Sequence, residues 1–135
     1  MIEPKIIQLP KILDARGNLS FLQYDNQIPF QIERCFWMYD VPGGEIRGGH
    51  AYKMQEEVII ALSGSFDVVI TNGDGSINKY SLNRSYYGLY LPPLTWRHIE
   101  NFSTNSLSLH VTNSAYDEAD YVRDFTDFKE KVHNG

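Results

Sequence analysis

Short apolar runs recur along this chain at intervals too brief for helices. They are Phe36–Tyr39, Val58–Leu62, Phe66–Ile70, Ile77–Leu82, Tyr87–Leu91 and Leu107–Thr112. Between them stand Pro42-Gly43-Gly44, Ser63-Gly64-Ser65, Asn72-Gly73-Asp74-Gly75, Pro92-Pro93 and the stretch from Asn101 to Asn105. Strand-length runs with Gly, Asn and Pro punctuation predict an all-β sandwich or barrel. Asn72 to Gly75 is the strongest hairpin signal, because Asn-Gly and Asp-Gly tolerate the positive φ of tight turns. Leu107, Leu109 and Val111 alternate with Ser108, His110 and Thr112, the mark of a half-buried strand. Val58-Ile59-Ile60-Ala61-Leu62 is apolar on both faces and must be covered on both, a role open to a partner subunit.

The pattern changes only in the last twenty residues. Tyr121, Phe125, Phe128 and Val132 fall at helical spacing, and Ser114-Ala115-Tyr116-Asp117 offers a cap. One or two short C-terminal helices packed on the outside are expected. No repeat, linker or low-complexity tract interrupts residues 1–135, so one domain is expected.

Composition narrows this picture. Nine Tyr and seven Phe suit strands and binding walls. Twelve basic against seventeen acidic residues leave a net charge of −5, which gives no footprint for nucleic acid. Cys35 is alone, so neither an internal disulfide nor a thiolate cage is available, and Arg34-Cys35-Phe36-Trp37 suggests a packed thiol on a buried strand. No stretch approaches the roughly 18 apolar residues of a membrane span, and Met1 to Pro10 lacks a signal-peptide pattern. A cytoplasmic protein without a membrane partner is the expectation.

Two segments carry unusual chemistry. Arg47-Gly48-Gly49-His50-Ala51-Tyr52 leads to Glu56, a strand and Gly64, parallel to the first motif of the cupins, where His-x-His precedes a Glu and a Gly. Residues two apart on a strand share a face, so His50 and Tyr52 point together into a barrel cavity. The segment Gly88 to Asn101 parallels the second cupin motif through Pro93, His98 and Asn101. A metal site on His50, Glu56 and His98 is one reading; the phenol of Tyr52, where a second histidine ligand would stand, favours a metal-free cavity without a cofactor. Arg47 and Arg97, if both motifs meet at one mouth, form a grip for an anion such as phosphate. His98 competes with its neighbours Trp96 and Arg97 for the cavity-facing position.

At these residues the chain resembles the dTDP-4-oxo-6-deoxyglucose 3,4-ketoisomerases, the WxcM-like small cupins. The resemblance runs through Leu13-Asp14-Ala15-Arg16-Gly17-Asn18-Leu19, Pro29-Phe30, Arg34, Arg47 to Ala51, Leu62 to Ser65, Tyr87 to Tyr90, Trp96, and Tyr116 to Tyr121. It implies a cupin jelly-roll barrel (double-stranded β-helix), a metal-free site, and a homodimer that exchanges N-terminal strands. It also implies isomerisation of a ketone between C4 and C3 of a dTDP-linked 4-oxo-6-deoxyhexose, for surface-glycan precursors. By resemblance Arg47 is a diphosphate ligand and His50 an active-site histidine.

Tyr52 departs from the pattern, since better-known members carry a second histidine there. The expected chemistry is proton abstraction beside a carbonyl, which needs a base near neutrality and a donor to the enediolate oxygen. His50 is the candidate base and Tyr52 the donor or second acid/base. Arg16 and Arg97 are candidates for steering the product toward gluco or galacto. Trp37, Tyr39, Tyr90 and Trp96 either stack on a nucleobase or fill the core, with core preferred for most. A deoxysugar epimerase, which also pairs His with Tyr, and a non-catalytic binding cupin remain the alternatives.

Overall fold

The computed structural model describes residues 3–134. Strands β1 (Lys5–Gln8), β4 (Arg34–Tyr39), β6 (Glu57–Ser63), β9 (Tyr87–Leu91) and β11 (Leu107–Thr112) form one sheet in the order β1-β9-β6-β11-β4. Strands β5 (Arg47–Tyr52), β7 (Phe66–Thr71), β8 (Ile77–Leu82), β10 (Trp96–Glu100) and β12 (Tyr121–Val122) form a second, ordered β12-β5-β10-β7-β8. A small hairpin, β2 (Lys11–Ile12) with β3 (Leu19–Ser20), stands apart. Every ladder between these strands is antiparallel. The two sheets face each other as a barrel.

Period-two alternation sorts the side chains. On β6, Ile59 and Ala61 enter the inter-sheet core with Phe66, Val68, Ile70, Leu82, Leu89, Leu91, Ile99 and Phe102. Val58 and Ile60 face the other way, where Ile7, Leu9, Ile28 and Phe30 bury them with Tyr90 and Val111. The doubly apolar strand is therefore covered on its outer face by the chain's own N-terminal segment and following loop. β1 pairs in register with β9 of the same chain, Lys5 opposite Tyr90 and Gln8 opposite Tyr87. The hairpin predicted at Asn72 to Gly75 joins β7 to β8, closed by Asn72 and Ser76.

One strand corrects the sequence reading. On β4, Arg34, Phe36 and Met38 are half-buried and turned inward, while Cys35, Trp37 and Tyr39 are exposed. β4 ends its sheet, and its outer face is left uncovered among the described residues. The thiol is therefore not packed, and Trp37 and Tyr39, 56% and 64% exposed, are not core.

The C-terminus is only partly helical. A single 3₁₀ turn spans Glu118–Asp120, capped by Asp117, whose carboxylate accepts from the Ala119 amide. Tyr121 and Val122 then extend as β12, and helix α1 (Phe125–Asn134) follows, with Asp124 accepting from the Thr126 amide. Phe125 and Phe128 seat this helix on Trp96, with Ala51 and Val122 beneath. Tyr121 thus leaves the expected helical stripe. The Asp120 carboxylate explains it: its two oxygens accept from the Met54 and Gln55 amides at 2.8 and 3.1 Å, which draws the chain onto the edge of β5.

Candidate active site

A cavity of about 340 Å³ opens between the sheets, within the range of roughly 300–1,000 Å³ typical of ligand pockets. Ile59 and Ile99, which also belong to the apolar core, form part of its wall. Polar groups supply most of the rest, nearly all of them from strands.

β5 contributes Arg47, His50 and Tyr52. Gly48 makes this strand possible: its φ is +94°, and a Cβ there would meet the Arg97 carbonyl oxygen and the His98 Cα at 3.2 Å. A side chain is excluded by both conformation and space. The ladder slips between Arg97 and His98 at this point, a bulge that brings β10 close against β5. The His50 and Tyr52 rings meet edge-on with centroids 4.9 Å apart. Tyr121, opposite Tyr52 in the β12 ladder, completes a three-ring cluster at 5.1 Å from His50 and 4.7 Å from Tyr52.

Behind these rings lies a buried charge network. Arg97 Nη1 donates to Glu57 Oε1 at 2.6 Å, and its Nε donates to the Thr95 carbonyl at 2.9 Å. Glu57 Oε2 accepts from His110 Nδ1 at 2.6 Å, and Ser108 Oγ and His110 Nε2 share a hydrogen bond at 2.8 Å. The His110 ring stacks flat on Phe36 with centroids 4.5 Å apart. The Arg97 guanidinium lies over the Tyr52 ring at 4.9 Å, and its Nη2 has no hydrogen-bond partner among the described residues.

These surroundings set the protonation states. Burial, then the charge of Arg97, pushes the His50 pKa down to about 4, so its imidazole is neutral and free to accept a proton at pH 7. Burial, then the Glu57 carboxylate, pushes the Tyr52 hydroxyl well above its ordinary range, so it remains a proton donor. For Glu57, burial opposes ionisation, yet the His110 hydrogen bond and the Arg97 charge hold the carboxyl below its usual value. The cavity thus places an uncharged base beside a protonated phenol. It suits proton transfer to and from a carbon flanked by oxygens.

The expected site residues divide. His50, Tyr52, Arg47, Arg97 and Trp37 line the cavity. Arg97 is not half of an anion grip at the mouth, however, because it is 2% exposed and bound to Glu57. The other cation beside Arg47 in the lining is Arg123, whose side chain is 56% exposed and which grips Glu118 through Nε and Nη2.

Others lie elsewhere. His98 points out of the barrel and donates to Glu100 at 2.8 Å, since on β10 the inward parity belongs to Arg97 and Ile99. Trp96 packs under α1. Tyr90 is buried behind the first sheet and donates to Glu56 at 3.1 Å. Tyr39 lies in a shallow surface depression with Asp40 and Glu45. Arg16 sits in an exposed turn, paired with Asp14 at 2.7 Å, and does not line the cavity. The ligand set His50, Glu56 and His98 does not converge, because these three side chains face three different surroundings.

Sequence reasoning missed Glu57, His110, Tyr121 and Arg123. His110 had a signal: the polar face of β11 is fully buried, with Ser108, His110 and Thr112 turned inward. A polar stripe opposite a leucine stripe reads equally well as the wall of a wet cavity.

Comparison with known proteins agrees with this arrangement. The family model described as "FdtA: WxcM-like, C-terminal" matches residues 2–133. The TDP-4-oxo-6-deoxy-alpha-D-glucose-3,4-oxoisomerase of Aneurinibacillus thermoaerophilus is 35% identical over 131 residues, covering 97% of this chain and 94% of that protein. The crystal structure of a 3,4-ketoisomerase from Helicobacter canadensis superposes with a TM-score of 0.92 at 33% identity, covering 98% and 99% of the two chains. That of QdtA, a sugar 3,4-ketoisomerase from Thermoanaerobacterium thermosaccharolyticum in complex with TDP, gives 0.94 at 29% identity, covering 98% and 96%. The two-sheet barrel is the fold of these enzymes, and the chain belongs to the FdtA family of WxcM-like proteins.

Proposed function

We propose that this protein is a sugar-nucleotide 3,4-ketoisomerase, moving the ketone of a thymidine-diphosphate-linked 4-oxo-6-deoxyhexose from C4 to C3. The observation that carries this reading is the neutral His50 imidazole in edge contact with the protonated Tyr52 phenol on one cavity wall. The relatives named above support it.

The reaction needs no external oxidant. His50 takes the C3 proton, which the adjacent C4 carbonyl acidifies; the C–H electrons form the C3–C4 double bond, and O4 takes a proton from Tyr52. The enediol then loses the O3 proton to the Tyr52 phenolate while C4 receives the proton held by His50. One C–H bond breaks and one forms, and the carbonyl ends at C3. The Arg97 charge beside Tyr52 stabilises the transient phenolate and the developing enediolate. Replacing His50 by Asn should abolish isomerisation while TDP still binds; turnover retained by that variant removes His50 from the mechanism.

Arg47 and Arg123, at the cavity, suit the diphosphate. Trp37, exposed yet in the lining, offers a face for the base. The natural assembly on this reading is a homodimer exchanging N-terminal strands, and since β1 pairs with β9 of its own chain, the element left to exchange is the β2–β3 hairpin. The small hairpin supports it, because Ile12, Leu13 and Leu19 lie exposed. No helix among the described residues is long and apolar enough to cross a membrane, and a cytoplasmic place in surface-glycan precursor synthesis accords with a nucleotide-linked substrate.

A further inference from the structure

A catalytic histidine is ordinarily oriented by a carboxylate or carbonyl on its second nitrogen. Among the described residues, the imidazoles with hydrogen-bond partners are His98 and His110, not His50. His50 is held instead by rings: Tyr52 at 74° between planes and Tyr121 at 61°. Tyr52 comes from its own strand. Tyr121 comes from the other end of the chain, on a two-residue strand with much reinforcement.

That reinforcement is specific. Lys53 donates its amide to the Asp120 carbonyl at 2.9 Å, and the Asp120 carboxylate takes the next two amides of the same segment. Arg123 lies over the Tyr121 ring at 4.1 Å and is anchored by Glu118, and Tyr116 packs on the ring's flank at 5.8 Å. Seven residues thus converge on the placement of one phenol that carries no buried core function: Tyr121 is half-buried and lines the cavity.

We propose that Tyr121 is a positioning residue for His50, its ring fixing the imidazole edge-on against Tyr52 and shielding it from water. The ring is the working part, not the hydroxyl. The kinetic side of this inference rests on the ketoisomerase reading; the physical side does not. The charged and titratable groups facing His50 are Arg97 from β10, Glu57 from β6, His110 from β11, Arg123 and Glu118 from the C-terminal strap, and Arg47 from its own strand. Of these only Arg123 touches the Tyr121 ring, and its two hydrogen bonds to Glu118 hold it when the ring is shortened, so a change in His50 reports the ring.

The test compares Tyr121→Phe, Tyr121→Ala and Tyr121→Leu, the last filling the space should the alanine variant fail to fold. The His50 Cε1–H resonance is titrated in ligand-free protein, and kcat and KM are measured with TDP-4-oxo-6-deoxyglucose. Tyr121→Phe should keep kcat within about threefold, whereas Tyr121→Ala and Tyr121→Leu should lose roughly 10- to 100-fold in kcat, the order expected of a misplaced base, with KM little changed. In these two the His50 midpoint should rise by about one unit toward the free-imidazole value. An unmoved His50 titration in the variants lacking the ring overturns the proposal. So does a Phe variant as impaired as the Ala and Leu variants, which would assign the role to the hydroxyl. If the wild-type enzyme turns over no sugar nucleotide, the ketoisomerase reading fails, and the titration still decides the role of Tyr121.

Discussion

Arg97 and Glu57, forty positions apart in sequence, form an ion pair at 2.6 Å with each side chain only 3% exposed. The pair ties β10 of one sheet to β6 of the other, and through His110 reaches β11. It is the polar counterpart of the apolar core, and it brings a fixed positive charge to the back of the Tyr52 ring.

Removing one partner of such a pair leaves a buried charge uncompensated. Glu57→Gln should therefore destabilise the fold by about 3–5 kcal/mol, measured as a shift in the urea midpoint at unchanged slope. A loss below about 1 kcal/mol, the scale of exposed pairs, would place the pair in water.

The pH profile tests the state of His50. With its pKa pushed down to about 4 by burial and Arg97, the free enzyme keeps its base unprotonated through the neutral range. The acid limb of kcat/KM should accordingly fall near pH 4, activity declining as pH drops through that value. A limb near 6.5 would show an imidazole open to solvent.

The same shift is linked to stability. Between pH 6.5 and about 4 the unfolded chain binds a proton on His50 that the folded chain does not, so stability falls as pH falls through that window. The melting temperature of wild type should fall relative to that of His50→Asn as pH drops from 7 to 4. Parallel curves would exclude a buried neutral His50.

Tyr52→Phe keeps the ring against His50 and deletes the proton donor. Loss of an oxyanion-type donor costs about 10²–10³-fold in kcat, and KM should change little. Equal kcat in the two proteins would transfer the donor role to another group.

The anion contact is tested at Arg47. Arg47→Gln should weaken TDP binding by about tenfold or more, the worth of a charge-assisted hydrogen bond of roughly 1.5–3 kcal/mol, read by calorimetry. His98→Gln, on the outer face, should leave the affinity unchanged.

What was legible in the sequence followed local rules. Asn72 to Gly75 announced its hairpin through turn chemistry, and β6 its double burial through an unbroken apolar run. His50 and Tyr52 were found because both lie on one strand, where period two alone puts them on one face. Glu57, His110 and Tyr121 escaped because only sheet pairing brings them to that face. Glu56 and Glu57 show how narrow the margin was: adjacent acids point oppositely, one to Tyr90 behind the sheet and one to Arg97 inside. Parity across the intervening turn after Tyr52 is not readable from composition. Cys35 was misplaced, and Trp37 and Tyr39 left open between base stacking and core, for another reason, since whether an outer strand face is covered depends on the sheet order and not on the strand.

Proton NMR of TDP-4-oxo-6-deoxyglucose incubated with the enzyme in heavy water tests the account most directly. A neutral imidazole and a protonated phenol acting together should yield the 3-oxo sugar with solvent deuterium at C4, and recovered 4-oxo substrate should exchange only at C3. A sugar whose ketone stays at C4, whether untouched or epimerised at C3 and C5, would contradict it.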